Sequence, residues 1–218
     1  MGKIGGHVSK SYNEGCLAAH ALDLIGDRWA LLVVRELMLG PKRFGAIRAG
    51  VPGIATNMLA QRLDDMVATG LVRHEMLPPP ASVAVYRLTP AGEDLWPVIA
   101  ALCHWGARQP GHDPSRFISP TALMLSMRAM ADRQGPAVAA AFVMEDEAFD
   151  VRLGEGGYDV RRTARPNGAV RFYGTTNGLA AIIYGRTPVA EAVAAGRGRI
   201  EGDLAAAQGF VDRFRLLR

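Results

Sequence analysis

The chain contains little cysteine, no long apolar run and only a small net charge. Cys16 and Cys103 are the only cysteines in 218 residues, which excludes a disulfide framework and favours a reducing, cytoplasmic compartment. The longest apolar run, residues 136–144, is too short to cross a bilayer. Lys and Arg exceed Asp and Glu by only 25 to 21, so overall charge does not indicate a nucleic-acid partner. Any such partner must be argued from local patterns.

The motifs typical of enzymes are also missing. The sequence has no Gly-x-Ser-x-Gly, Walker loop, His-Glu-x-x-His or Cys-x-x-Cys motif. The Gly-rich segments 154–157 and 196–198 lack the helix that follows a phosphate-binding loop. Cys103 and His104 are adjacent on a predicted helix and point about 100° apart, so they cannot chelate one ion. We therefore expect a protein that is not an enzyme and has no cofactor and no metal site.

The pattern of helices and strands predicts an α+β protein of two domains. Residues 1–108 are mostly helical and include two short strands joined by LPPPAS, whose prolines cannot pair in a sheet. Residues 109–118 are a Pro- and Gly-rich linker. Residues 119–218 alternate helical and strand-like segments, which favours an α+β fold.

Two local signals in these domains make further predictions. Thr89 followed by Pro90 predicts a capped helix that runs to about Trp105. Asn167 followed by Gly168 predicts a hairpin turn between two strands.

The segment GIATNMLAQRLDDMVATGLV, residues 53–72, combines two different helix faces. One face is the apolar stripe of Leu59, Leu63, Met66 and Val67. The other carries Asn57 and Gln61, whose amides both donate and accept hydrogen bonds and therefore suit base edges in the major groove. The order of helix, helix, short helix, turn, longer helix and two-stranded hairpin predicts a winged helix-turn-helix domain.

The basic residues around this helix are expected to hold the DNA backbone. Three lie at or in the short preceding helix and two lie on the strands of the hairpin, within reach of phosphates. The residues expected to contact double-stranded DNA are Lys42, Arg43, Arg48, Thr56, Asn57, Gln61, Arg73 and Arg87.

Residues 13–106 resemble the HxlR family of bacterial transcription regulators, which are related to MarR. The resemblance rests on Cys16 and on the ordered motifs LDLIGDRW, ELMLGPKRF, PGI, QRL, GLV and YRLTPAG. It implies a homodimer, paired through the N-terminal and final helices of this domain, that binds a pseudo-palindromic operator. Ala55 replaces the usual capping Ser, which leaves Thr56 as the expected helix cap. Some members use the cysteine at the position of Cys16 as a redox switch.

The second domain resembles sterol-carrier-protein-like domains. The similar segments are the helix Leu179 to Ile183 and the strand-to-helix corner Gly198 to Asp203. The resemblance implies a sheet and helices around an apolar tunnel, and the bland alternative is that the same residues fill a core. Candidates to line a ligand pocket are Met124, Met127, Phe142, Phe149, Phe172, Tyr173, Ile182, Tyr184 and Phe210.

The sequence therefore predicts a homodimeric DNA-binding regulator, a repressor, whose second domain senses a small apolar ligand. Two alternatives stay open. One is a thiol-based redox regulator acting through Cys16, although no basic residue adjoins it in sequence to lower its pKa. The other is a lipid carrier that does not bind DNA.

Overall fold

The computed structural model describes residues 11–216, and all structural statements below concern that range. Its first half is a helical unit with one two-stranded antiparallel sheet, in which Val72 pairs with Leu88 and Met76 with Ala84. The elements are α1 Leu17–Ile25, α2 Ala30–Leu37, α3 Phe44–Gly50, α4 Thr56–Ala68, β1 Val72–Met76, β2 Ala84–Leu88, α5 Pro90–Glu93 and α6 Trp96–Ala107.

Helix α4 packs on the core through the predicted stripe, with one exception. Leu59, Leu63 and Met66 are at most 2% exposed, whereas Val67 is 40% exposed and lies outside the core. The helix ends before Gly70, whose positive φ of +75° is a conformation that glycine adopts without strain.

The helix predicted from Thr89 to Trp105 is two helices. Thr89 does cap the first, since its side chain accepts a hydrogen bond from the Gly92 backbone amide. The prediction of one continuous helix was wrong because Pro97 lacks the amide hydrogen that would bond residue 93, and its ring crowds that carbonyl. The chain therefore breaks after Glu93 and begins again as α6 at Trp96.

The second half is a five-stranded sheet covered by helices. Its elements are α7 Pro120–Met130, β3 Val138–Met144, β4 Glu147–Gly154, β5 Gly157–Arg162, β6 Arg171–Tyr173, α8 Thr176–Tyr184, α9 Val189–Ala194, β7 Arg199–Glu201 and α10 Leu204–Val211. The strand order is β5-β4-β3-β6-β7, with β3 and β6 parallel and the other pairs antiparallel. No helix within residues 11–216 has both the length and the apolarity to span a bilayer.

The Asn167-Gly168 segment does not form the predicted hairpin. Strand β5 lies at one edge of the sheet, whereas β6 crosses over to pair with the central strand β3. The crossover puts Phe172 opposite Phe142, and their rings stack at 4.9 Å. The backbone amide of Asn167 instead donates to the Asp150 carboxylate at 2.9 Å.

The residues expected to line a ligand tunnel form the core of this half. Seven of the nine belong to one cluster and are at most 1% exposed: Met124, Met127, Phe142, Phe149, Phe172, Ile182 and Phe210. The hydroxyl of Tyr173 donates to Glu201 at 2.8 Å, and Tyr184 shares a 2.8 Å hydrogen bond with Ser126. Two clefts in the described range are lined in part by Met38 and Arg128, and none of the nine residues lines either of them. Their side chains fill the space by packing against one another.

A buried polar network joins the two halves of the chain. Glu36 on α2 is fully buried, and its carboxylate accepts from Lys42 Nζ at 2.9 Å and from Ser119 Oγ at 2.6 Å. Lys42 Nζ also donates to Thr121 Oγ1 at 2.9 Å and lies 3.2 Å from Glu147. The network therefore connects α2 to α7 and to β4.

Lys42 does not face solvent as a phosphate contact would. Its side chain is 4% exposed and its ammonium group is enclosed by the network. Its backbone pairs with that of Tyr86, which holds it against the edge of β2 and turns its side chain inward. The prediction that Lys42 contacts DNA was wrong for this reason.

Replacing Lys42 by Met should destabilise the protein strongly. The change removes the ammonium group from Glu36 and leaves Arg35 as its remaining cation, and breaking a buried pair typically costs about 3–5 kcal/mol. Glu36 keeps hydrogen bonds from Arg35 and Ser119, so we expect the free energy of unfolding to fall by an amount near the lower end of this range. Urea denaturation measures the change.

The exposed neighbour provides the control for this change. Arg43→Met should alter the free energy of unfolding by less than about 0.5 kcal/mol. Adding Glu36→Gln to Lys42→Met should recover part of the loss, because the buried charge is removed. A loss in Lys42→Met no larger than in Arg43→Met would contradict the proposed role of the network.

Candidate nucleic-acid interface

Helices α3 and α4 both expose polar side chains, and α4 packs against strand β1 of the hairpin. Arg43 is the N-cap residue of α3 and Arg48 lies in its last turn, and both side chains are exposed. Guanidinium groups in such positions can bind phosphate oxygens with two hydrogen bonds each. The structure therefore places two of the three basic residues predicted around α3 on the surface.

The N-terminus of α4 is exposed and has no side-chain cap. Ala55 is the N-cap residue, and Thr56 is the first residue inside the helix, so the prediction that Thr56 is the cap was wrong. The first backbone amides of a helix have no partner within it, and they attract anions such as phosphate. Thr56 and Asn57 are both exposed beside these amides.

The two amide side chains of α4 are not equally available. Asn57 is exposed, whereas Gln61 is half-buried and its Nε2 donates to Asp65 at 2.8 Å. Arg62 binds the same Asp65 at 3.0 Å. Gln61 therefore keeps its carbonyl oxygen as an acceptor, and Asn57 keeps both of its functions.

The arginines of the hairpin share one carboxylate. Glu75 lies 3.0 Å from Arg73 and 2.6 Å from Arg87, and the hydrogen bond from Arg87 lowers the pKa of Glu75. A phosphate must compete with Glu75 for both guanidinium groups. Glu75 is not among the residues predicted from the sequence, although the strand register that pairs Arg73 with Arg87 places it near both arginines.

Large apolar side chains are exposed on α1 and α6, away from α4. Leu17 is 86% exposed and Leu22 49% on α1, and Leu102 is 47% exposed and Trp105 59% on α6. In α1 only Ala19 and Ile25 are buried. A helix this apolar is normally covered, so we name these two helix faces the apolar surface.

The two cysteines lie in contrasting environments. Cys16 is the exposed N-cap residue of α1, and the nearby backbone amides of Ala19 and Ala18 lower the pKa of its thiol. Burial raises the pKa of Cys103. The helix N-terminus at Cys16 could not be found from neighbouring side chains in the sequence.

Comparison with known proteins locates the similarity in the first half. A family described as HxlR-like helix-turn-helix matches residues 24–113. The HTH-type transcriptional regulator YkvN of Bacillus subtilis is 38% identical over 84 residues, which cover 38% of this chain and 71% of YkvN. YdeP of the same organism is 32% identical over 106 residues, 49% of this chain and 83% of YdeP.

Other similarities are more partial. An HTH-type transcriptional regulator of Mycobacterium tuberculosis is 39% identical over 93 residues, and the match covers 43% of this chain but only 58% of that protein. A solved MarR family regulator from Porphyromonas gingivalis is 26% identical and aligns with 44% of this chain and 95% of its own, with a TM-score of 0.42.

The curated homologues are thus HTH-type transcriptional regulators, and the residues that match the HxlR-like family include the helices α2 to α6 and the β1–β2 hairpin. The chain belongs to the HxlR-like helix-turn-helix family.

Proposed function

We propose that the protein is a transcriptional repressor that binds a pseudo-palindromic operator as a homodimer. The observation that carries the proposal is that α3 and α4 expose Arg43, Arg48 and Asn57, and that the exposed N-terminus of α4 has no side-chain cap. In a helix-turn-helix domain this second helix enters the major groove. Asn57 then reads base edges, and the arginines and free amides hold phosphates.

The apolar surface on α1 and α6 supports a homodimer. Leu17 and Trp105 each expose more than half of their surface, which disfavours an isolated protomer in water. A second copy of the chain offers the same apolar residues, as an interface with twofold symmetry requires. Two α4 helices brought together in this way would read half-sites about 34 Å apart.

The second half of the chain is proposed to control the first through the buried network. Ser119 and Thr121 belong to the second half of the chain. Ser119 donates to Glu36 of the first half, and Thr121 accepts from Lys42, which directly precedes Arg43. A change at Thr121 or Glu147 therefore acts on the start of α3. The proposal of a sensory role also rests on the sterol-carrier-like sequence pattern, whose strand-to-helix corner is the join of β7 and α10, capped by Asp203.

The alternative of a lipid carrier that does not bind DNA has less support. It requires an apolar cavity, and the side chains named for that cavity are packed against one another in the core.

Arg43 and Asn57 should affect DNA binding in different ways. Arg43→Gln should weaken binding to operator and random DNA about equally and reduce the slope of log K against log salt by about 1, because one phosphate contact is lost. Asn57→Ala should cost about 1–3 kcal/mol on the operator and little on random DNA. Fluorescence anisotropy with both DNAs at several salt concentrations measures these effects.

Arg161→Gln is the matched control, because this exposed arginine is paired with Asp159 on β5, remote in sequence from α3 and α4. It should leave the salt slope unchanged. Equal losses on the two DNAs for Asn57→Ala would refute its role in reading bases. An unchanged salt slope in Arg43→Gln would refute its role at the phosphates.

Trp105→Glu should convert the protein to a monomer and weaken operator binding. The charge would have to be buried in the interface without a partner, which is unfavourable. Light scattering after size-exclusion chromatography measures the mass. Phe117→Glu, at a residue that is 54% exposed but lies outside α1 and α6, should leave the mass unchanged. A dimer that persists in Trp105→Glu would place the interface elsewhere.

A redox role for Cys16 is the second candidate function. The specific observation is that Cys16 is exposed at the N-terminus of α1 with its pKa lowered by two backbone amides. A lowered pKa increases the thiolate fraction at neutral pH, and the thiolate is the form that reacts with oxidants. Cys103 has the opposite shift and is not expected to take part as a nucleophile.

The thiol reactivities should therefore differ with pH. In Cys103→Ser, which retains Cys16, the rate with Ellman's reagent should reach half its maximum below the pH of an ordinary thiol. In Cys16→Ser, which retains Cys103, the half-maximum should lie higher. Superimposable profiles would contradict the assignment. Release of operator by peroxide that disappears in Cys16→Ser would make redox control the primary function.

A further inference from the structure

A cleft of about 830 Å³ lies between the two halves of the chain. One wall is the segment after α2, with Met38, Leu39 and Pro41. The other wall is the edge strand β5 together with Arg128 of α7. The cleft is thus walled by apolar side chains on one side and by arginines on the other. It is separate from the core of the second half, since none of the nine residues first proposed to bind a ligand lines it.

Arg128 is a half-buried cation without an acidic partner. Its guanidinium stacks at 4.2 Å on the ring of Trp96, the first residue of α6. Burial lowers the pKa of Arg128, and the nearby charge of Arg133 lowers it further. No ion pair joins Arg128 to any carboxylate within residues 11–216. A partly desolvated charge of this kind is costly unless an anion binds it.

Tyr158 adds an unused hydrogen-bond donor to the wall of the same cleft. Its hydroxyl is buried and has no hydrogen-bond partner in the described part of the chain. Burial raises the pKa of Tyr158 well above its ordinary value, so the phenol stays protonated, and the charge of Arg128 acts against that shift. The neighbouring Tyr184, by contrast, is bonded to Ser126. Buried polar groups are rarely left unpaired, and the hydroxyl hydrogen of Tyr158 has no acceptor in the described range.

The other arginines of the cleft are already neutralised. Arg161 lies 3.1 Å from Asp159, and Arg162 lies 3.0 Å from Glu147. The remaining acid of the lining, Asp146, is exposed in the turn between β3 and β4. Arg128 is therefore the one arginine of the lining that forms no ion pair in the described range, although Glu93 and Asp94 line a second cleft with it.

We propose that this cleft binds a small organic carboxylate with a flat apolar body. The carboxylate binds Arg128 and accepts from the Tyr158 hydroxyl, and the apolar body lies against Met38, Leu39 and Pro41. The volume of the cleft is sufficient for a ligand of this size. The next step rests on the proposed function: a ligand bound in this cleft weakens the affinity for operator DNA. The reason is that two residues of the lining belong to the buried network, since Glu147 pairs with Lys42 and Arg162 donates to Thr121.

The test uses the full chain and two probes of the same shape. Calorimetric titration with 2-naphthoate should give saturable binding, and the uncharged 2-naphthamide should bind at least about tenfold more weakly because the charge-assisted bonds are lost. Arg128→Met should lower the affinity for 2-naphthoate by at least about tenfold. It should also abolish the preference for 2-naphthoate over 2-naphthamide. Tyr158→Phe, which removes only the hydroxyl, should weaken it several-fold.

Arg116→Met is the matched control, since it removes an equal charge that is paired with Asp113 and lies outside the lining of the cleft. It should change 2-naphthoate affinity by less than about twofold. The proposal is overturned if the wild-type protein shows no saturable binding or binds both probes equally, neither of which depends on a variant that folds. It is also overturned if Arg116→Met loses as much affinity as Arg128→Met.

A second readout separates this site from the proposed function. Operator affinity is measured with and without 2-naphthoate. Adding 2-naphthoate should lower the operator affinity of the wild type and leave that of Arg128→Met unchanged. A protein that binds 2-naphthoate but no DNA would refute the function and retain the site. A protein that binds DNA but not 2-naphthoate would refute the site and retain the function.

Discussion

The arrangement of the two halves depends on one buried ammonium group. Lys42 Nζ contacts Glu36 of α2, Thr121 of α7 and Glu147 of β4, and its backbone pairs with Tyr86 of β2. Burying these charges is favourable only when each keeps its partners, so a shift of one half relative to the other would expose or orphan several groups at once. The network therefore specifies one relative position of helix-turn-helix and sheet, which apolar contacts alone would specify less sharply.

The same interaction explains why two consecutive basic residues have opposite roles. Lys42 and Arg43 precede α3 in extended backbone, where successive side chains point to opposite sides. Lys42 turns into the protein and Arg43 turns to solvent. The sequence alone could not assign these directions, because two of the groups that bind Lys42 are far away in the chain. These groups are the side chains of Thr121 and Glu147.

Local sequence signals predicted most helices and the hairpin of the first half. Contacts between residues far apart in the chain could not be predicted from the sequence. The helices of the winged domain follow from apolar spacing, from Gly70 and from the cap at Thr89, all of which act within a few residues. The parallel pairing of β3 with β6 joins segments about thirty residues apart, and the Asn167-Gly168 signal pointed to a hairpin instead. Apolar composition predicts burial but cannot distinguish a filled core from a tunnel, so the ligand residues were misplaced. Arg128 and Tyr158 carry no sequence signal, since only the absence of spatial partners singles them out.

A sensor at the junction is physically better placed than one inside the core. A ligand changes an equilibrium only by binding one arrangement of the protein more tightly than another. A close-packed core changes little when two halves move as units, whereas a cleft between them changes shape directly. Arg128 stacks on the first residue of α6, whose far end exposes Trp105 on the apolar surface, and Glu147 in the same cleft holds Lys42 beside Arg43. In the proposed homodimer, a carboxylate at Arg128 would thus act from a single site on both the spacing of the two α4 helices and the position of Arg43, the proposed phosphate contact.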